Sequence, residues 1–189
     1  LSTMVSDYIK MPKALDYLKL YTSWAKVSDD LAPYSIASTY AKDVTYGSIP
    51  SVIYPEGLVN PNIKPEQSTS YEVGLSTSFA KKVGLEFTYY NVIDENKIID
   101  LNTSLASGFQ TRKVNGNKYK TQGLEIMANY SAIKTQDFSW NIAANWSTSA
   151  TKIIDIYNIQ PAFGDLRKND RTDSFYGDVW EKSATGEVI

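Results

Sequence analysis

The chain has 189 residues, a formal net charge of −2, 13% aromatic residues, and neither histidine nor cysteine. That inventory excludes disulfides, thiol nucleophiles and thiolate metal sites, and it removes the commonest general base and transition-metal ligand, so histidine-dependent triads and zinc centres are out. A slightly acidic total, with no long run of like charges, offers no nucleic-acid surface.

Taken in chain order, the opening "LSTMVSDYIK" lacks the basic start, apolar middle and small-residue cleavage site of a signal peptide, and it reads as a first strand ending by Lys10. "MPKA", Met11 to Ala14, is a short turn. From Leu15 to Val27 the residues alternate: Leu18, Leu20, Thr22 and Trp24 fall on one face, Lys19, Tyr21, Ser23 and Ala25 on the other. Asp29 to Gln67 is a polar stretch carrying Pro33, Pro50, Pro55, Pro61 and Pro65, which suits a loop rather than a ladder.

The next two strands, Thr69 to Phe79 and Val83 to Ile93, are separated by the turn "AKK". They place Tyr71, Val73, Leu75, Phe79, Val83, Leu85, Phe87 and Tyr89 on one face, against Glu72, Gly74, Ser76, Gly84, Glu86 and Thr88. Asp94 to Lys120 is expected to be irregular, with "NKIIDL" and "FQTRKV" as extensions of the flanking strands. Thr121 to Tyr130 sets Leu124, Ile126 and Tyr130 against Glu125. After the turn "SAIKTQD", the segment from Phe138 to Thr148 sets Phe138, Trp140, Ile142 and Trp146 against Asn141 and Asn145. Asp155 to Ile189 is a third loop.

About six strands of some ten residues result, joined alternately by short turns and long loops. This is the asymmetry of outer-membrane barrels, where turns lie in the periplasm and loops outside. No apolar run approaches the roughly 18 residues of a membrane helix, so a membrane reading must be a β reading. The 14 tyrosines and 4 tryptophans suit an interface that is apolar on one side and wet on the other, and a mean hydropathy of −0.32 is compatible with strands that are half wet. The same alternation also fits a soluble β-domain used for adhesion or carbohydrate binding, or a complete small eight-stranded barrel.

In the barrel reading Leu18, Leu20, Trp24, Tyr71, Val73, Leu75, Phe79, Val83, Leu85, Phe87, Tyr89, Leu124, Ile126, Tyr130, Phe138, Trp140, Ile142 and Trp146 face lipid. Lys19, Glu72, Glu86, Glu125, Asn141 and Asn145 face the lumen, with Lys19 and Glu72 expected as cross-strand partners. Nothing in the carboxylate spacing implies a glycosidase pair, and no catalytic, cofactor or metal residue is assigned. "NDRTDSFYGD", Asn169 to Asp178, concentrates oxygen ligands without the EF-hand spacing and reads as solvated loop. The sequons at Asn102, Asn129 and Asn145 read as chance matches. Tyr40, Tyr46, Tyr54, Tyr157 and Tyr176 fall in outer loops, where they stack on sugars, pack against a lid protein or stabilise the loops themselves.

The stretch "NPNIKPEQSTSYEVGL", Asn60 to Leu75, closely resembles a mid-barrel strand start in SusC/RagA-type TonB-linked outer-membrane proteins. "LDYLKLYTSWAKVSDD", "GLEFTYYNVIDENKII", "NKYKTQGLEIMANYSAIKTQDFSWNIAANWSTSATKI" and "FYGDVWEKSATGEVI" resemble that family's neighbouring segments in the same order, so the likeness covers nearly the whole chain. The resemblance implies an all-β, antiparallel transmembrane segment of about six strands from a larger, roughly 22-stranded plugged barrel. Residues 1–189 are then barrel, with outer loops at about 28–67, 94–120 and 155–189 and no plug. It implies a non-enzymatic importer of glycans or peptides in the bacterial outer membrane, without a cofactor. Its partners would be membrane lipid, a SusD-like lipoprotein and the TonB complex. The ending "GEVI" lacks the aromatic-terminated final strand of such barrels, so an internal piece of a transporter is expected.

Overall fold

The computed structural model describes residues 1–157, 162–163 and 166–178. Period-two alternation turns the chain into strands almost throughout, because successive side chains of an extended backbone point to opposite faces. In chain order the strands are β1 (Ser2–Met4), β2 (Leu15–Asp29), β3 (Ala41–Lys42), β4 (Val52–Ile53), β5 (Gly57–Leu58), β6 (Glu66–Phe79), β7 (Val83–Glu95), β8 (Ile98–Asn102), β9 (Thr111–Asn115), β10 (Lys118–Lys134), β11 (Ser139–Asp155), β12 (Ala162–Phe163) and β13 (Leu166–Arg167).

Six of them form one sheet in the order β1-β2-β6-β7-β10-β11, with every neighbouring pair antiparallel. This is an up-and-down wall that does not close on itself. The strands run past the expected bounds at the loop end, as β6 starts at Glu66, β7 reaches Glu95 and β11 reaches Asp155. At the turn end, "SAIK" continues β10 past an irregularity between Ser131 and Ile133, so the last turn shortens to Thr135–Phe138. Phe138 therefore lies outside the strand, in a turn closed by its carbonyl accepting from the Thr135 N–H (2.8 Å).

"NKIIDL" and "FQTRKV" do not extend the wall. Asn96, with φ of 60°, turns the chain out of β7, and β8 and β9 pair with each other as a hairpin to which β5 adds in parallel. The expected irregular region is thus a small three-stranded sheet.

Register aligns the apolar residues into rows across the wall. Leu20, Leu75, Phe87, Ile126 and Trp146 form one row. Val73, Tyr89 and Leu124 share the next, Leu18 and Leu85 a third, and Phe79, Val83, Tyr130 and Ile142 a fourth. Trp24 pairs with Tyr71 nearer the loop end, and Trp140 with Ile133 nearer the turn end.

This apolar face is uncovered. Trp24 is 63% exposed, Trp146 54% and Phe87 41%; on the polar face Glu72, Glu86, Thr88 and Tyr90 are half-buried, and Glu125, Asn141 and Asn145 are exposed. Among the described residues the only buried hydrophobics are Val114 and Ile153, both at the loop end, and no second layer covers the wall. A sheet in water covers its apolar side, so an uncovered aromatic face of this extent differs from the packed face of a soluble β-domain.

The turn between β6 and β7 carries Ala80 and Lys81 at φ of 50° and 54°, with the Lys82 N–H donating to the Phe79 carbonyl (2.9 Å). That is a type I′ geometry, which suits Asn-Gly far better than Ala-Lys. Changing the pair to Asn-Gly is expected to raise stability by about 1–2 kcal/mol. A higher temperature of heat-induced band shift for the full-length receptor in detergent checks this, and a lowered one contradicts it.

Candidate functional site: the polar face and its loop-end layer

The polar face of the wall is furnished by long side chains laid across glycines of the next strand. The Tyr21 ring lies where a Cβ at Gly74 would stand, and its hydroxyl hydrogen-bonds Thr88 Oγ1 (2.6 Å) and Glu86 Oε1 (3.2 Å), two strands away from β2. Tyr90 covers Gly123 in the same way. Asn129 covers Gly84, whose N–H donates to Asn129 Oδ1 (3.1 Å). The glycines let the rings lie flat, and the rings restore the packing that the glycines lack. Between β7, β10 and β11 this face dips into a hollow lined by Glu86, Thr88, Glu125, Met127, Asn145 and Ser147.

All six residues expected in the lumen lie on this one face. Glu86 stands between Ser76 and Met127, Glu125 between Thr88 and Ser147, and Asn145 opposite Met127. Asn141 stands opposite Ser131, whose hydroxyl donates to Asn141 Oδ1 (2.9 Å). The expected Lys19–Glu72 pair is not formed. Register sets Lys19 opposite Ser76 and Glu72 opposite Ser23, four residues further along β6, beyond the reach of a cross-strand pair. Sequence reading missed the tyrosine–glycine couples, whose signal is an aromatic and a glycine falling on one polar row of adjacent strands.

At the loop end the long connections interlock. Asn60 forms an Asx turn with the Asn62 N–H (2.9 Å), and Lys64 exchanges two hydrogen bonds with the Asn115 side chain (2.7 Å each). Asn115 Nδ2 also reaches the Asn96 carbonyl (3.0 Å), and Gly57–Leu58 pairs with Thr111–Arg112, so the first loop is tied to the β8–β9 hairpin. Glu66 completes the tie: Oε1 accepts from the Ile98 N–H (2.8 Å) and Oε2 from Lys97 Nζ (2.6 Å). The third loop joins through Arg112 Nη2 donating to the Tyr157 hydroxyl (2.9 Å), and through fully buried Asn117, whose Oδ1 accepts from the Tyr157 N–H (3.4 Å) while its Nδ2 donates to the Tyr119 hydroxyl (3.0 Å).

Glu66 lies five residues beyond Tyr71, above the apolar band. Partial burial pushes its carboxyl up, but the Ile98 N–H and the Lys97 ammonium outweigh it and hold the group below the usual glutamate range. The bond to Glu66 raises Lys97, against partial desolvation. A depressed carboxylate stabilises the fold above its unfolded value of about 4.3, and that contribution is lost as pH falls through the folded value. A raised lysine contributes below about 10.4 and loses it as pH rises further. Loop protection against limited proteolysis is therefore expected to be constant at neutral pH and to fall below about pH 4.3. In Glu66→Gln it is expected to be weak throughout, and an acid loss of equal size in that variant would contradict the assignment.

Four of the five outer tyrosines, Tyr40, Tyr54, Tyr157 and Tyr176, contact other loop-end residues. Tyr40 meets Tyr54 edge-on at 5.7 Å, Tyr54 meets Phe109 at 5.5 Å, and Tyr176 donates to Asp170 Oδ2 (2.6 Å) beneath the Arg167 guanidinium; Tyr46 stands exposed. In "NDRTDSFYGD", Asp170 is occupied by Tyr176 and the Arg167 N–H, and Asp173 by a two-pronged bond from Arg171. These partners lower both carboxyls, and among the described residues no three carboxylates gather. Asn129 and Asn145 are strand residues, and Asn102 ends β8.

The family model for the TonB dependent receptor-like β-barrel matches residues 12–181. TonB-dependent receptor P3 of Formosa agariphila is 27% identical over 132 residues, which is 62% of this chain and 13% of the relative. TonB-dependent receptor P26 of the same organism is 26% identical over 98 residues, 51% of this chain and 10% of the relative. Among solved structures, the RagAB peptide transporter superposes with a TM-score of 0.76 at 15% identity, covering 89% of this chain and 20% of that one. The RagAB peptide importer in its open-open state gives 0.73 at 15% identity, covering 86% and 18%. At such identity the structural likeness concerns the fold. The chain spans 10–13% of the length of these curated relatives.

Proposed function

The chain belongs to the TonB-dependent receptor β-barrel family, whose members are outer-membrane proteins, and from that premise we propose that it supplies wall strands and outer loops of a larger plugged importer. The observation that carries this reading is the exposed apolar face, with no covering layer among the described residues. Hydrocarbon is the environment in which such a face is stable, since the bilayer takes apolar side chains and the paired strands satisfy the backbone.

In this reading the apolar rows from Leu18 to Trp146 face lipid, together with Phe138 at the rim, and Lys19, Glu72, Glu86, Glu125, Asn141 and Asn145 face the lumen. The loops at about 28–67, 94–120 and 155–189 lie outside, where their interlocked layer offers a docking surface to a SusD-like lipoprotein. The cargo is a peptide or a glycan, and uptake is powered through TonB; peptide transport by the structural neighbour RagAB supports the peptide alternative. The role is transport rather than catalysis.

The test is uptake of defined oligopeptides and oligosaccharides by cells lacking the full-length receptor. Loss of uptake of one class, reproduced by collapsing the proton gradient, is expected, with a surface lipoprotein co-purifying with the receptor. Undiminished uptake of both classes would overturn the importer assignment.

A further inference from the structure

Ion pairs are confined to one end of the wall among the described residues. All five ion pairs among the described residues fall at the loop end: Lys97–Glu66, Lys113–Asp100, Lys118–Glu95, Lys168–Asp155 and Arg171–Asp173. The turn end carries Lys10, Lys13, Lys81, Lys82 and Lys134, all exposed and none in an ion pair among the described residues. Its carboxylates are Asp7, Asp16 and Asp137. Asp16 is already occupied by the Ser78 hydroxyl (3.1 Å) and the Lys81 N–H.

These lysines recur on each of the three turn-end connections, β1–β2, β6–β7 and β10–β11. Strands stand about 4.8 Å apart, so successive connections lie roughly 10 Å from one another along the rim. Just above them sit Phe79, Val83, Tyr130 and Trp140 on the apolar face, at the strand ends where aromatic rings meet headgroups. A long, flexible ammonium one step beyond such a band reaches the phosphate level while its stem stays against apolar surface.

We propose that the turn-end lysines form a phosphate-binding rim for anionic phospholipid of the leaflet that the turns face. The inference rests on the lipid-facing assignment of the apolar wall. Two features select the occupant: none of these cations is in an ion pair among the described residues, and the turns that carry them adjoin the rim of the apolar face, Lys134 alone ending its strand on polar parity opposite Ser139, so a ligand must present an anion and an acyl chain together. Neither a soluble anion nor an acidic protein segment matches both.

The test reconstitutes the full-length receptor in phosphatidylcholine vesicles containing trace chain-nitroxide phosphatidylglycerol or phosphatidylcholine. The fraction of motionally restricted label is read by electron paramagnetic resonance. Wild type is expected to restrict more phosphatidylglycerol, with an attraction of about five-fold per lysine at an occupied rim position. The variant Lys13→Gln/Lys81→Gln/Lys82→Gln/Lys134→Gln is expected to lose a measurable part of that preference, Lys10 and the receptor's other turns remaining. A control, Lys26→Gln/Lys42→Gln, removes unpaired loop-end charge and is expected to keep the preference. Equal restriction in wild type, or an undiminished preference in the quadruple variant, would overturn the rim while leaving the wall assignment intact, because restricted phosphatidylcholine itself reports a lipid-facing wall. No restricted lipid of either kind would overturn the wall assignment and the rim with it.

Discussion

Leu75→Arg is expected to remove most assembled receptor from the outer membrane, whereas Ser76→Arg, on the next residue, is expected to leave it near the wild-type level. Leu75 is the second of five in the row from Leu20 to Trp146 and has Phe87 as its partner in β7. An arginine on the lipid side of a barrel near midplane costs about 2–4 kcal/mol, roughly a 30- to 1,000-fold shift in the folding equilibrium. Ser76 is on the opposite face, with Glu86 directly across from it in β7. An arginine there stands between that carboxylate and Lys19 of β2 in a wet environment, where the net effect of either pairing is small. Heat-modifiable migration of the receptor in outer-membrane fractions gives both quantities. Equal damage from the two substitutions would mean that the faces are not sorted between lipid and water.

Gly74→Val is expected to destabilise the wall by about 1–3 kcal/mol through overpacking against Tyr21. The new side chain falls where the ring now lies, so the ring must leave the sheet and give up its bonds to Thr88 and Glu86. The cost belongs to the couple and not to the glycine alone. In a Tyr21→Ala background the same substitution is expected to cost far less, because nothing remains to be displaced. A double-mutant cycle measured by denaturant unfolding isolates that coupling. Additive effects would show that Gly74 is required for some reason other than the ring.

The strands were legible because their signal is local. Trp24, Tyr71, Phe87 and Trp146 announce one face simply by parity, and the register keeps them there. Parity also fixed the polar set from Lys19 to Asn145, but it could not fix distance along a strand. That is why a Lys19–Glu72 pair was expected where Ser76 and Ser23 stand instead. The loop-end layer was opaque for a different reason. Its ties run from Lys64 to Asn115 and from Glu66 to Ile98, across 51 and 32 positions of sequence, and no periodicity carries such a contact. Phe138 shows the remaining limit: it has the parity of Trp140, yet the turn closes on its own carbonyl and takes it out of the strand.

Whether the exposed apolar face meets lipid is decided by a nitroxide scan along β7. The chain contains no cysteine, so single cysteines at positions 84 to 90 of a cysteine-free full-length receptor can be labelled one at a time. In reconstituted vesicles, accessibility to oxygen is expected to peak at Leu85, Phe87 and Tyr89, and accessibility to a water-soluble nickel chelate at Gly84, Glu86, Thr88 and Tyr90. Loss of the two-residue period, or the reverse phase, would contradict the account.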